Sequence, residues 1–192
     1  EAEKIGHIWF SGMNPMVAVH DKKVIDPLGI FYNKKNNLVI LHALTNVSGL
    51  EWKLADAINT LAKKLGAKEV ISLEGVGALG KGGSGGNAYY YSPKNKKKWD
   101  KTGIEALDEG IVIGVTASLL LKMKSAPLSC VFVEASSGLP DSRAAAKIIE
   151  ILDKYLKLNV DYSPLLKKAK LFEGKIKNIL KSSHNFKKSK EN

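Results

Sequence analysis

Two residue types are almost missing from this chain of 192 residues: it has one cysteine, Cys130, and one arginine, Arg143. A lone cysteine excludes a disulfide framework, and inside the apolar run Leu128 to Val133 it is expected to act as a small buried hydrophobe. A single arginine leaves the chain without the guanidinium forks that favour bidentate recognition of bases and phosphates. Long hydrophobic runs are absent as well: no stretch of about twenty apolar residues occurs. The start, Glu1-Ala-Glu-Lys-Ile, reads as neither a signal peptide nor a membrane anchor. The cytoplasm is therefore the expected location, with no membrane partner. Histidine is scarce and scattered, His7, His20 and His42 falling in expected strands and His184 in the tail, so no metal-ligand spacing is present and no metal is expected.

Lysine is abundant. The formal charge is +11 and the isoelectric point near 9.6, which raises the question of nucleic-acid binding. Much of the excess lies in two tracts, Lys94-Asn-Lys-Lys-Lys-Trp-Asp-Lys101 and Lys181 to Lys190, beside polar or glycine-rich sequence. Such tracts read as solvated charge or as a surface for an acidic protein, and nucleic acid is not the expected partner. Apolar residues make up 44% of the chain, enough for a real core. One α/β domain is expected over residues 1–181, followed by a mobile basic tail at 182–192.

The runs Leu38 to Leu44, Val70 to Leu73, Ile111 to Ile113 and Cys130 to Val133 are continuously apolar, the pattern of strands covered on both faces. Between them lie helical periods. Leu50, Leu54, Ile58, Leu61 and Leu65 share a face, with Ser48 and Glu51 at capping-box spacing and Gly66 as terminator. Asp141 can cap a second helix with a stripe of Ala145, Ile148, Ile149, Leu152 and Leu156. Near the start, Lys4 to Phe10, Met16 to His20 and Leu28 to Asn33 predict a hairpin-rich edge. Ser163-Pro164 predicts a cap and first helical position, opening a C-terminal helix with a seam through Leu165, Ala169, Phe172, Ile176 and Ile179. This seam closes the domain's own core or pairs with another copy. Alternating strands and helices predict an α/β three-layer sandwich with a mostly parallel or mixed central sheet, plus that C-terminal helix.

Gly75-Val-Gly-Ala-Leu-Gly80 fits the dinucleotide fingerprint in letters, and Gly75 to Lys81 nearly fits a phosphate-binding loop. Both require a helix directly afterwards, and Lys81-Gly-Gly-Ser-Gly-Gly cannot open one, so no cofactor is expected. The stretch from Gly75 to Lys101 reads instead as a glycine-rich surface loop, in which Tyr89, Tyr90, Tyr91 and Trp99 either anchor an interface, with Leu165, Phe172 and Ile176, or pack back on the domain. In open parallel sheets, ligands gather at the carboxyl ends of strands. His42, Glu74 and Glu134 fall near such ends, and Gly75, Gly77, Thr116, Ser136 and Gly138 complete a candidate crevice. No Gly-x-Ser-x-Gly elbow is present, and no catalytic residue is assigned.

One long segment carries more than its parts. It reads Ile111-Val-Ile-Gly-Val-Thr-Ala-Ser-Leu-Leu-Leu, and later Leu128-Ser-Cys-Val-Phe-Val-Glu-Ala-Ser-Ser-Gly-Leu-Pro-Asp-Ser-Arg. In this order the chain resembles the proteasome assembly chaperone 2 family in its archaeal branch, and the likeness extends upstream through Asn46 to Gly77 and downstream through Leu158 to Phe172. The resemblance implies a fold like that of purine nucleoside phosphorylases. It also implies a non-enzymatic, homo-oligomeric protein that engages proteasome core subunits. Relatives open with a strand, a glycine turn and a helix, and those that bind the assembled particle end in a hydrophobic-tyrosine pattern; residues 1–192 show neither, so either the natural chain has further residues at its ends or this member is shortened and of a branch that inserts no tail. Two readings stay open beside it: a phosphorylase-like or hydrolase-like enzyme using the crevice, and a family member with a role of its own.

Overall fold

Asp141 and Gly66 show how local chemistry sets the helices. In the computed structural model, which describes residues 2–20, 22–77, 87–135, 141–167 and 171, helix α1 spans Glu51–Leu65 and stops at Gly66, whose φ of 59° is left-handed. The amides of Gly66 and Ala67 close on Lys63 and Ala62 carbonyls, satisfying the last turn as glycine permits. Its start departs from expectation. Leu50, whose side chain has no acceptor, is the N-cap, and Ser48 turns back to Asn46, whose Oδ1 accepts from both Ser48 N and Ser48 Oγ. The buried face is also rotated, centred on Leu54, Ala55 and Ala62, while Leu65 is exposed.

The described residues gather into two compact units, residues 1–70 with 109–128 and residues 71–108 with 129–192. In the first, strands β1 (Glu3–His7), β4 (Leu28–Asn33) and β5 (Leu38–Ala43) form an antiparallel sheet in the order β1-β4-β5. The central position of β4 buries Leu28 and Ile30. The expectation that β5 is covered on both faces is corrected: it is an edge strand, and Ile40 and His42 are exposed. The β4–β5 turn is held by Asn33 Oδ1, which accepts from Asn36 N at 2.9 Å. A separate hairpin pairs β2 (Ala18–His20) with β3 (Lys23–Ile25). Helix α3 (Gly114–Lys122) packs on α1.

The second unit contains the four-stranded sheet β6-β9-β7-β8, made of β6 (Val70–Val76), β9 (Leu128–Glu134), β7 (Ala88–Tyr91) and β8 (Glu105–Ala106). It is mixed: β7 runs antiparallel to β9 and parallel to β8. Strand β9 is buried almost throughout, as its apolar run predicts, whereas β6 at the edge is only half-covered. Helix α4 (Ser142–Leu156) starts where Asp141 accepts from the amides of Arg143 and Ala144, a side-chain cap of the expected kind. Its fully buried residues are Ala144, Ala146, Ile151 and Tyr155, with Ile148, Leu152 and Leu156 packed beside them, so the predicted stripe is turned toward Tyr155. Helical residues 163–167 follow, and Asp161, two residues before the predicted cap Ser163, accepts from Ser163 N and Oγ. Strands and helices thus make an α/β fold with a mixed sheet.

The predicted loop around Trp99 is the largest local correction. Residues 78–86 lie outside the described residues, but β7 is a strand and Lys96–Trp99 form the short helix α2, continued by a 3-10 turn at Asp100–Thr102. Trp99 and Tyr90 are core residues. Trp99 stacks on Tyr155 at 3.7 Å between centroids and donates from Nε1 to Ser129 Oγ at 2.9 Å. Ser129 Oγ is also hydrogen-bonded to Ser92 Oγ at 2.7 Å.

Candidate interaction surface

The segment Ile111 to Ile113, predicted as a buried strand, is the clearest departure from expectation in the first unit. No strand forms there; Ile113 is the N-cap of α3, and Ile111 and Ile113 are 95% and 71% exposed. Gly114, with φ of 75°, begins the helix itself, a conformation that excludes continuation of a strand. At the other end of α3, Leu121 is 71% exposed, and Trp52 in the first turn of α1 is 51% exposed. Eight residues of helix separate Ile113 from Leu121, about 12 Å along the axis.

The neighbouring helices are fixed by polar contacts. Lys122 Nζ bonds both carboxylate oxygens of Asp56, at 2.8 and 2.7 Å, and lies 5.2 Å from the centroid of the Trp52 ring. Asn59 Oδ1 accepts from Lys124 N, Ser125 N and Ser125 Oγ, clamping the chain that leaves α3 onto α1. Inward, Thr116, Ser118 and Leu119 are buried, and Ser118 Oγ donates to Gly114 O. Trp52 and Leu121 are thus carried on a helix pair fixed by polar contacts, with Ile113 at the N-cap of α3 and Ile111 two residues before it.

The other candidate residues divide between the units. His42 and Thr116 belong to the first, where His42 lies opposite Gly29 in an antiparallel sheet and meets the Phe31 ring edge-on. Glu74, Gly75, Gly77 and Glu134 belong to the second, Glu74 and Glu134 on the paired strands β6 and β9. Glu134 is buried, and Glu74 Oε2 is shielded from solvent with no hydrogen-bond partner among the described residues. A Cβ added at Gly75 would stand 3.4 Å from Ala135 Cβ. Ser136, Gly138, Phe172 and Ile176 lie outside the described residues. Of the proposed interface aromatics, Tyr91 is exposed and Tyr89 half-buried, but Tyr90 and Trp99 are enclosed in the core and present nothing to a partner. Leu165 is half-buried in the segment 163–167.

Burial pushes the Cys130 thiol up to about 12, with the Glu74 carboxylate adding to the effect, so the thiol is not a nucleophile. Among the described residues no cluster of three or more histidine, cysteine or acidic side chains could hold a metal ion. Among them, too, no helix is long and apolar enough to cross a membrane.

Comparison with known proteins agrees with this architecture. A model of the PAC2 family matches residues 1–180. An uncharacterized protein of Methanocaldococcus jannaschii is 26% identical over 178 residues, covering 91% of this chain and 72% of the relative. The structure of Pyrococcus furiosus PbaA, described as an archaeal homolog of proteasome-assembly chaperone, superposes with a TM-score of 0.85 at 26% identity, covering 99% of this chain and 81% of PbaA. Pyrococcus furiosus PbaB, described as an archaeal proteasome activator, shares the fold with a TM-score of 0.75 at 16% identity, over 93% of this chain and 82% of PbaB.

Proposed function

This chain belongs to the PAC2 family, in the branch of the archaeal PbaA and PbaB homologues, and we propose that it is a non-enzymatic binding protein that self-associates and engages proteasome core subunits. The observation that carries the reading is the outward set Trp52, Ile111, Ile113 and Leu121 on the first unit. Exposed apolar side chains of this size have a direct use at an interface. Burying a leucine or isoleucine of this exposure contributes roughly 1.5–3 kcal/mol, and a specific interface needs about 1,200 Å² in total. The reading gains support from the likeness to PbaA, an archaeal homolog of proteasome-assembly chaperone.

The test is the solution mass by light scattering of the wild type and of Leu121→Glu. A defined oligomer that falls to monomer in the variant, with the melting temperature kept, is the expected result. A wild-type monomer at tens of micromolar would remove self-association from the account.

A second reading rests on one observation: Glu74 Oε2, on the strand paired with that of buried Glu134, has no hydrogen-bond partner among the described residues. A small ligand with a donor group could satisfy it near Gly75 and Gly77. Calorimetric titration with nucleosides and phosphate separates this from the first reading: saturable heat that Glu74→Gln abolishes would favour a ligand site.

A further inference from the structure

The lysine run of the second unit is not a solvated loop but a fixed surface. Tyr90 Oη donates to the Asp100 carboxylate, and Lys96 Nζ bonds both Asp100 oxygens, at 3.0 and 3.1 Å. Thr102 Oγ1 donates to Trp99 O at 2.7 Å, and Asn95 N to Ser92 Oγ at 3.3 Å. With Trp99 seated between Tyr90 and Tyr155, the segment from Ser92 to Thr102 is pinned to the core at both ends and in the middle.

Asp100 is occupied by Lys96 and Tyr90, and no other acidic residue lies between positions 92 and 102. Lys94, Lys97, Lys98 and Lys101 are all exposed. Among the described residues none of the four has a carboxylate within ion-pair distance, and Lys98 Nζ rests 3.8 Å over the Tyr155 ring. Four like charges within eight consecutive residues raise one another's energy until an anion arrives.

We propose that Lys94, Lys97, Lys98 and Lys101 form a docking site for an acidic segment of a protein partner. Charge complementarity selects the class. Lysine ammonium groups act as separate point charges, which suits carboxylates spaced along a chain, and the surface contains no arginine fork for phosphates. The aromatic rings packed under the lysine run, Trp99 and Tyr155, are buried against each other, so neither offers a platform for single-stranded nucleic acid. Because the segment is ordered before binding, little further ordering is needed when the partner arrives. The site goes beyond the assembly reading and shares no residue with the apolar surface of the first unit, so failure of either leaves the other standing.

The experiment is an anisotropy titration of fluorescein-labelled decaglutamate with the full chain at low salt. Three proteins are compared: wild type, Lys94→Gln/Lys97→Gln/Lys101→Gln, and a charge-matched Lys187→Gln/Lys188→Gln/Lys190→Gln control, all with melting temperatures checked. Loss of three exposed charge contacts should weaken peptide binding about tenfold, while the control stays within about twofold of wild type. Equal loss in both variants would overturn the proposal, since attraction would then follow net charge alone. It would also be overturned if the first variant bound like wild type, or if a single-stranded oligonucleotide of the same charge bound more tightly than the peptide through the same lysines.

Discussion

Trp99 offers the sharpest test of the second unit's core, because the sequence alone allowed it to be a surface anchor. The side chain is 0% exposed, stacked on Tyr155 and bonded to Ser129. Truncation to alanine should cost about 3–5 kcal/mol for lost packing, and up to about 1 kcal/mol more for the ring pair. Ser129 Oγ keeps its bond to Ser92 Oγ, so no unsatisfied hydroxyl adds to the loss. That total rivals the whole stability of an ordinary domain, roughly 5–15 kcal/mol, and the informative variant is therefore Trp99→Phe. Phenylalanine keeps one ring, loses the Nε1 bond at about 1 kcal/mol, and leaves a cavity worth about another 1 kcal/mol. With a urea slope of about 2 kcal/mol per molar, the midpoint followed by far-ultraviolet circular dichroism should fall by about 1 M. In a double-mutant cycle with Ser129→Ala, the coupling should be about 1 kcal/mol. A midpoint shift below about 0.3 M for Trp99→Phe, with no coupling, would refute the placement of this residue in the core.

Three further outcomes follow from single contacts. Asp141→Ala removes the acceptor for the amides of Arg143 and Ala144 and should lower stability by about 1 kcal/mol in the same urea assay, with Asp141→Ser recovering most of it. Cys130, buried and with its thiol held near 12, should resist an aromatic disulfide reagent at pH 8 and react fully once urea unfolds the chain; labelling of the native protein within minutes would contradict its burial. Asp26 is held below its ordinary range by Lys4, Asp100 by Tyr90 and then Lys96, and Glu150 by Lys154. Their folded values lie under the unfolded ones, so their contribution is fully present above the ordinary carboxylate range near 4 and is lost as pH falls through the folded values. Urea midpoints should hold between pH 5 and 7 and drop below pH 4, less steeply in Asp26→Asn.

Much of this architecture could be read from individual residues. Gly66 and Asp141 fix helix ends through backbone chemistry that no tertiary contact overrides, and the run around Cys130 is long enough to demand burial on both faces. Short signals failed. Three apolar residues at Ile111 to Ile113 look alike whether they fill a core or face outward to a partner, and only Gly114 hinted that a helix was about to begin. Ser48 lost the capping role because the helix begins two residues later, with Leu50 as its N-cap, while the Ser48 hydroxyl donates to Asn46 Oδ1. Trp99 was hidden by its lysine neighbours: the charge of the run pointed to solvent, although a tryptophan at the end of Lys96 to Lys98 with Ser129 in a buried strand is the kind of polar-tipped aromatic that a core can satisfy. The crevice residues were chosen by a rule for parallel strand ends, and His42 turned out to lie in an antiparallel sheet of the other unit.

The central claim is that this protein works through its surfaces on proteasome core subunits, and the most direct measurement is capture. Purified core subunits from a matching archaeal source are passed over immobilised wild-type chain and over Leu121→Glu, with the mass of the eluted complex read by light scattering. Retention by the wild type as a complex of defined mass, and its loss in the folded variant, is the predicted result. Absence of capture at both low and moderate salt, by a wild type that forms its oligomer normally, would contradict the claim.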